Sequence, residues 1–288
     1  MAALAVLGGD VFVLTNRDRT TTVAVEDVVD RFRRSTTTSV PTAPAAPAST
    51  VATARSTPST TISRSAASGP NGHSTPPAPA PRVAGFVRPK DGVYAYDTTG
   101  GETASIGGSR HDYPAVTYAT VQRRAGCEWL LEQPVVKEHV DRRGFCSRSD
   151  SLFFLGQATT ISFFGQRGTD ESHCDPPQRV LRHGEPVGAR AEYLCRSAEN
   201  EMRVSVTRLR PESIQVAGRL VEVEHVLTEG AVSGRATGTS RVEQWWLPSS
   251  GLLVREVRTV TSRAHEFGGD VDYREKATFH LRSLDPRT

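Results

Sequence analysis

The fold is decided by a stretch near the end of the chain in which polar and apolar residues alternate, Val271-Asp272-Tyr273-Arg274-Glu275-Lys276-Ala277-Thr278-Phe279-His280-Leu281. Successive side chains of a β-strand point to opposite faces, so a period of two predicts a strand with one apolar and one polar face. The predicted apolar face carries Val271, Tyr273, Ala277, Phe279 and Leu281. Glu275 falls on that same face and is the exception to the pattern.

Strands of the same kind are predicted through the rest of the chain, around residues 92–98, 115–122, 127–132, 151–156, 158–164, 202–209, 214–228, 238–247 and 252–262. The run from Trp245 to Val254 (W-W-L-P-S-S-G-L-L-V) is typical of a strand, a tight turn and a second strand. After residue 83 the sequence shows no long apolar stripe with a helical period. We therefore predict that residues 83–288 form a mostly β domain, an antiparallel barrel or a strongly curved sheet.

A short apolar run at the start of the chain, residues 2–15, is interrupted by Asp10 and preceded by no basic residue. A membrane-spanning helix needs roughly 20 apolar residues, so this run is too short as it stands. Three interpretations are open: the tail of an export or anchor segment whose upstream part is missing, a marginal signal peptide, or an incidental apolar start. We expect the first, in which residues 1–15 are a partial anchor that associates the chain with a membrane.

Residues 24–34 predict one short amphipathic helix. Val25, Val28, Val29 and Phe32 have the i, i+3, i+4, i+7 spacing of a single helix face, and acidic residues precede basic ones as the helix dipole favours. An isolated helix of this length is only marginally stable, so it needs a surface to dock on. That surface is a membrane, a partner or its own domain, and we expect its own domain.

Residues 35–82 have the composition of a disordered linker, with nine of the 18 prolines and no acidic residue. Such a Ser/Thr/Pro/Ala tract buries too little apolar surface to offset its ordering entropy and is typical of the stalks of exported proteins. Residues 1–82 hold 8 Lys and Arg against 5 Asp and Glu, which accounts for the whole net charge of +3. The β domain is therefore formally neutral, and its charge gives no argument for binding nucleic acid.

All four cysteines, Cys127, Cys146, Cys174 and Cys195, lie in the predicted β domain. An even number of cysteines beside export features favours disulfides, and four cysteines allow three pairings. We expect Cys127 to pair with Cys146 and Cys174 with Cys195, because each bond would join a strand–loop–strand unit. The alternative is a metal site built on His173, Cys174, His183 and Cys195, but that spacing fits no compact zinc pattern and we expect no metal.

Candidate catalytic chemistry is sparse. The sequence contains no zinc-protease motif, no nucleophile elbow and no nucleotide-binding loop. His111, Asp112 and Tyr113 are adjacent, but neighbours on a strand point alternately to opposite faces, so they do not automatically converge. We expect a solvated edge or turn there, and an acid–base site is the alternative. We therefore expect no catalytic residue, no cofactor and no enzymatic activity.

Glu275 is the most unusual residue, because a carboxylate on an apolar face needs a partner or its pKa shifts. Arg255 and Arg258, on a neighbouring predicted strand, are candidate partners. One interpretation is a buried structural ion pair, and another is a polar anchor inside a ligand cavity. In the second interpretation the candidate ligand-binding residues are Glu275, Tyr273, Arg255 and Trp246.

Several strings of the sequence resemble a family of uncharacterised actinobacterial envelope proteins that are exported or cross the membrane once. They are V-E-D-V-V-D-R-F-R (25–33), G-V-Y-A-Y-D-T-T-G-G-E (92–102), G-G-S-R-H-D-Y-P (107–114) and W-W-L-P-S-S-G-L-L-V-R (245–255), together with the paired cysteines. The resemblance implies an N-terminal anchor, a stalk and an extracytoplasmic domain, and it brings no known activity or site. At the level of fold alone, the succession of strands is similar to the half-barrel lipoprotein carriers of bacterial envelopes.

These features lead us to expect a stalked extracytoplasmic β domain, either associated with the cell membrane or secreted. We expect it to act as a structural or interaction ectodomain whose partner is an envelope protein. One alternative is a carrier-like module that binds a lipid or another apolar ligand. The other is a hydrolase of envelope material, which no motif supports.

Overall fold

The computed structural model describes residues 21–37, 85–105, 108–163, 166–266 and 269–287. These residues form one helix, α1 (Val25–Thr37), and fourteen strands. The strands are β1 (Gly92–Ala104), β2 (Ser109–Asp112), β3 (Val116–Arg123), β4 (Glu128–Val136), β5 (His139–Arg148), β6 (Ser151–Phe163), β7 (Gln166–Arg182), β8 (Arg190–Arg196), β9 (Asn200–Arg208), β10 (Glu212–Val216), β11 (Arg219–Gly234), β12 (Ala236–Leu247), β13 (Leu252–Glu266) and β14 (Gly269–Leu281).

The strands pair antiparallel in one sheet, in the order β10-β11-β12-β13-β14-β1-β3-β4-β5-β6-β7-β8-β9. Because β9 also pairs with β11, from Val226 opposite Arg208 to Gly234 opposite Asn200, the sheet closes into a ring. Of the described strands, β2 pairs only with β1 and β10 pairs only with β11, so both lie outside the ring. The closure confirms the predicted antiparallel barrel or strongly curved sheet, and it leaves few unpaired strand edges.

Antiparallel pairing gives the ring two ends, which we name by the strands that stop there. Strands β1, β4, β6, β8, β11 and β13 stop at the lower end, and β3, β5, β7, β9, β12 and β14 stop at the upper end. At the upper end, β12 and β13 join through the tight turn predicted between Trp245 and Val254. Gly251 in this turn has a φ of +67°, and a Cβ there would lie 2.0 Å from the carbonyl oxygen of Val87. Glycine is required because the segment before β1 crosses this turn.

Apolar side chains fill the upper half of the ring. The rings of Trp129 and Phe145 stack with their centroids 4.6 Å apart, and the Trp246 ring meets Phe145 edge-on at 5.2 Å. A smaller apolar layer of Ala104, Ile161 and Val271 lies toward the lower end. The two layers sandwich a band of polar and charged side chains.

Helix α1 docks on the outside of the ring, as the sequence led us to expect. Val28 and Phe32 are buried in a small cluster with Val93 of β1, and Tyr118 of β3 packs against that cluster. The helix continues to Thr37, so the first three residues of the predicted linker are helical. The rest of that linker and the predicted anchor at 1–15 lie outside the described residues. Within the described part of the chain, no helix combines the length and the apolarity that crossing a membrane requires.

Two disulfides form in the predicted pairing. Cys127 bonds Cys146 with their Cα atoms 4.8 Å apart, and Cys174 bonds Cys195 at 4.2 Å. The second bond joins β7 to β8 beside His173 opposite Arg196, which is the one ladder pair between these two strands. We call this β7–β8 contact the seam, because it is the most weakly hydrogen-bonded junction in the ring. Both sulfurs of the alternative metal site are thus used in a disulfide.

Candidate functional site

The polar band between the two apolar layers is the candidate site. It contains three kinds of side chain that are expected on a solvated strand face: carboxylates, arginines and histidines. Here they point into the ring. Its members come from β1, β2, β4, β5, β12, β13 and β14 and from Tyr113, which directly follows β2. They are Glu102, His111, Tyr113, Gln133, His139, Asp141, Arg143, Gln244, Glu256, Arg258, Tyr273 and Glu275. Apart from Tyr273, which is half-buried, all of them are buried.

Glu102 is the most heavily contacted carboxylate of the band. Its Oε1 lies 2.6 Å from His111 Nδ1, and its Oε2 lies 2.6 Å from His139 Nδ1. The hydroxyl of Tyr273 also donates to Oε2 at 2.7 Å. Burial opposes ionisation of Glu102, but the positive charge of His139 and the three hydrogen bonds hold its pKa well below the usual range. Glu102 is therefore an ionised group in the interior of the ring.

His139 lies between two carboxylates. Its Nε2 is 3.2 Å from Asp141 Oδ1, while its Nδ1 faces Glu102. Burial lowers the pKa of His139, but the charges of Asp141 and Glu102 outweigh that effect and raise it well above its ordinary value. Asp141 in turn accepts a hydrogen bond from Arg258 Nη1 at 2.5 Å. Burial raises the pKa of Asp141, and the charges of Arg258 and His139 reverse this and hold it well below the usual range. His139 is thus a buried imidazolium.

Glu275 differs from Glu102, although the two residues are direct cross-strand neighbours on β14 and β1. Its Oε1 lies 2.6 Å from Arg258 Nη2 and accepts a hydrogen bond from the Tyr113 hydroxyl at 2.8 Å. Burial raises the pKa of Glu275, and the nearby charges of Arg258 and His139 only partly offset that effect. The environment therefore drives the pKa values of two adjacent carboxyl groups in opposite directions, a pattern that also separates acid from base in enzymes.

A second ion pair lies higher in the ring. Arg143 Nη1 pairs with Glu256 Oε2, and Arg143 Nη2 donates to Gln133 Oε1 at 2.9 Å. Gln244 Nε2 donates to the same Glu256 oxygen at 2.8 Å. Burial raises the pKa of Glu256, but the charges of Arg143 and Arg258 lower it below its ordinary value. This pair connects to the lower carboxylates through Arg258 Nη1, which is 3.8 Å from Glu256 Oε1.

Opposite charges face each other throughout the band. Four carboxyl groups (Glu102, Asp141, Glu256 and Glu275) face the cations of His139, Arg143 and Arg258, and His111 lies beside Glu102. The Tyr113 hydroxyl lies 3.1 Å from Glu102 and 2.8 Å from Glu275, so it can relay a proton between them. The chemistry available to the band is proton exchange among its own members.

The structure separates the four candidate ligand-binding residues. Glu275 and Tyr273 belong to the polar band, and Arg258 is the partner that Glu275 takes. Arg255 instead lies over the ring of Trp245, with its guanidinium carbon 4.7 Å from the centroid. Trp246 is fully buried in the aromatic layer of the upper half. The four side chains do not form one cavity lining.

Tyr273 is the member of the band that reaches a surface cavity. That cavity has a volume of about 430 Å³ and is lined by Thr237, Gly238, Thr261, Ser262, Arg263, Asp272, Tyr273 and Arg274. Arg263 pairs with Asp272 at 2.7 Å on its rim. The cavity therefore touches the band at Tyr273, and none of the band's carboxylates lines it.

Sequence reasoning missed the members on β5. His139, Asp141 and Arg143 alternate along that strand and all turn inward. An i, i+2, i+4 set of charged residues is normally read as the solvated face, so only the opposing inward charges on β13 and β14 could have revealed their position. The cluster after residue 109 corrects our expectation of a solvated edge or turn. His111 and Tyr113 are buried and both contact Glu102, while Asp112 is exposed and pairs with Arg110 at 2.5 Å.

The fold and the band define this chain as a disulfide-linked antiparallel β-ring domain with an ion-paired interior. Searches against protein-family models, curated proteins and solved structures find no match for it. Among the described residues, no three His, Cys, Asp or Glu side chains are placed to hold a metal ion. The geometry of the chain itself therefore carries the functional argument.

Proposed function

We propose that this chain is an extracytoplasmic interaction domain that presents its outer surface to an envelope protein. One observation carries the proposal: in the described residues, the ring interior is occupied along its length by aromatic, ion-paired and small apolar layers. A domain packed in this way offers its outside, and not its inside, for recognition. The resemblance to exported envelope proteins supports the same interpretation.

The compartment follows from the cysteines. Cys146, Cys174 and Cys195 are buried in the β domain and Cys127 is half-buried, and the two disulfides close loops of 19 and 21 residues. Disulfides of this kind form and persist in oxidising compartments, so they indicate an extracytoplasmic environment. Association with the cell membrane through the N-terminal segment is part of the proposal.

The upper end is the part of the surface that we assign to the partner. The most exposed large apolar side chains of the described residues are Leu220 at 71%, Val187 at 59% and Val87 at 43%. All three belong to segments at the upper end: the β10–β11 turn, the β7–β8 connection and the segment before β1. Burying exposed apolar side chains of this kind against a partner protein contributes favourable free energy to binding.

Cross-linking in intact cells tests the proposal. The full chain is compared with Leu220→Glu and with Thr259→Glu, which adds the same charge at an exposed position on β13. We expect one envelope protein to cross-link to the native chain and to Thr259→Glu, and to be lost from Leu220→Glu. Identical cross-linking in all three, or none in any, would overturn the proposal.

A ligand-binding module is the second candidate, and the cavity at Tyr273 is the observation that favours it. A ligand bound there would contact Tyr273, whose hydroxyl donates to Glu102 at 2.7 Å. Native mass spectrometry of the full chain purified from cells separates the two candidates. Our proposal expects the mass of the disulfide-bonded chain alone, whereas a lipid or other adduct that Tyr273→Phe or Thr237→Glu removes would favour the ligand module.

A further inference from the structure

The docked helix α1 runs along the outside of the ring from its lower end to its upper end. Before the helix, Thr21 forms two hydrogen bonds at the β4–β5 turn: its N–H donates to Glu138 Oε2 at 3.0 Å, and its carbonyl accepts from Lys137 N at 3.0 Å. Near the end of the helix, Gln122 Nε2 donates to Ser35 Oγ at 2.9 Å. The described chain therefore begins at the lower end, and α1 carries it to the upper end.

Both ends of the segment 38–84 belong to the upper end. The helix stops at Thr37, beside the upper end of β3, and the described chain resumes at Gly85. Val87 N then donates to Pro248 O at 3.0 Å, in the upper turn between β12 and β13. A tract that starts and finishes at the same end of one domain does not hold that domain away from its N-terminal segment. The stalk role expected for this tract thus requires α1 to leave the ring.

The contact between α1 and the ring is small enough to be reversible. Its apolar part consists of Val23, Val28 and Phe32 packed on Val93, with Tyr118 beside them. Its ion pair joins Arg31 to Glu132 at 3.6 Å, and the Arg31 side chain is half exposed. A helix of this length is marginal when isolated, so undocking also unfolds it. The docked state depends on this contact together with the hydrogen bonds at Thr21 and Ser35.

We infer that α1 is a detachable latch, and that the outer face of β1 and β3 is the helix-binding surface it occupies. This inference deepens the proposed function, on which it rests. When α1 is docked, Thr21 is held at the lower end of the ring, and the helix stops at the upper end. When α1 is released, a coil as long as segment 38–84 has a root-mean-square span of roughly 35–40 Å, and fully extended it spans about 150 Å.

A cleavable full-length chain tests the latch. A protease site is inserted in segment 38–84, the folded protein is cut, and the amount of N-terminal fragment bound to the ring is measured after serial dilution. We expect the fragment to stay bound at high protein concentration and to dissociate on dilution, because docking becomes bimolecular after the cut. A fragment that never dissociates, down to nanomolar concentration, would overturn the inference, since α1 would then be a permanent part of the domain.

Two variants make the test specific. Phe32→Ala removes the largest buried side chain of the contact and should weaken fragment binding by about a hundredfold. Asp30→Ala changes an exposed position of the same helix and should leave the dissociation constant unchanged. Equal effects of the two variants would also overturn the inference. The cleavage assay needs no partner, so a failed latch and a failed partner cross-link at Leu220 are distinguishable results.

Discussion

At the scale of single residues, the interior of this ring is governed by how each charge is compensated. Glu102 and Glu275 face each other across β1 and β14. Neighbouring positive charge and hydrogen bonds lower the pKa of Glu102, whereas burial raises the pKa of Glu275. Glu102 accepts hydrogen bonds from two histidines and two tyrosines, and Glu275 relies mainly on Arg258. The same residue type therefore has two different roles within one cross-strand pair.

We predict that the two carboxyl groups differ in their contribution to stability. Glu102→Gln removes an ionised acceptor and leaves the His139 charge without its nearest partner, which should lower the free energy of unfolding by about 3–5 kcal/mol. Glu275→Gln should cost less than half as much, because the raised pKa of Glu275 means that a neutral group is tolerated there. Denaturant unfolding of both variants checks this, and equal losses would contradict the assignment.

The sequence predicts which of these side chains point into the ring only where the strand itself carries the pattern, and not where the neighbouring strands decide it. Alternation along 271–281 placed Glu275 and Tyr273 inward, and the need to compensate a buried carboxylate pointed to Arg258. The same rule failed on β5, where His139, Asp141 and Arg143 turn inward. Their environment is set by β1 and β13, which are distant in sequence, so no local pattern could reveal it.

At the scale of elements, the strands with apolar inner faces were predictable and the strands with polar or small inner faces were not. The predicted strands at 92–98, 115–122, 238–247 and 252–262 correspond to β1, β3, β12 and β13. β2, β5, β7 and β8 were missed, and β7 contains Asp175-Pro176-Pro177, which favours a turn when read alone. The single strand predicted at 214–228 is broken into β10 and β11 at Ala217 and Gly218, whose φ values of 49° and 79° make a turn.

The seam leads to a prediction about elements. β7 and β8 share one ladder pair, His173 opposite Arg196, so the Cys174–Cys195 bond replaces most of the hydrogen bonding that a neighbouring pair of strands would have. By contrast, β4 and β5 are paired from Glu128 opposite Cys146 to Val136 opposite His139, and their disulfide reinforces an intact ladder. Removing the two bonds should therefore have different local effects.

In the double variant Cys174→Ser/Cys195→Ser, we predict that the backbone amide hydrogens of β7 and β8 exchange with solvent faster than in the native protein. The amides of β12 to β14 should stay protected. The matched control is Cys127→Ser/Cys146→Ser, which removes the other disulfide. That bond closes a loop of similar length, so its removal should cost a similar amount of global stability, about 3 kcal/mol in the chain-entropy model. Hydrogen exchange read by mass spectrometry distinguishes them. Uniform loss of protection in both variants would show that the seam is no weaker than the rest of the ring.

At the scale of the whole molecule, the domain is a closed antiparallel ring that buries ions between two apolar layers. Burying ions is expensive unless each is paired, and here the described carboxylates of the band each contact an arginine, a histidine or a tyrosine. Such an arrangement contributes less to stability than to fixing which strands oppose one another. Its stability must then depend on the protonation of the band, because folded and unfolded chains bind protons differently.

The pH dependence of the free energy of unfolding follows from the direction in which folding shifts the pKa of each group in the band. Glu102, Asp141 and Glu256 have pKa values below those of the unfolded chain, so their contribution is present above about pH 4 and is lost as pH falls toward their folded values. His139 has a raised pKa, so its contribution is complete below about pH 6.5, the unfolded value, and is lost as pH rises toward its folded value. We expect stability to peak between these limits.

The alkaline limb of that curve is the sharper test, because the raised pKa of His139 makes a decline begin near pH 6.5, at its unfolded value. Above about pH 6.5 the native state holds a proton that the unfolded chain has released, so the free energy of unfolding should fall by up to about 1.4 kcal/mol per pH unit. Glu275, whose pKa is raised, acts with the same sign but above about pH 4, and Glu275→Gln isolates its share. His139→Gln should remove the decline that begins near pH 6.5, whereas His173→Gln, at an exposed position, should retain it. A native chain whose stability is flat from about pH 6 to pH 9 would show that His139 is not a buried imidazolium and that the band is balanced in another way.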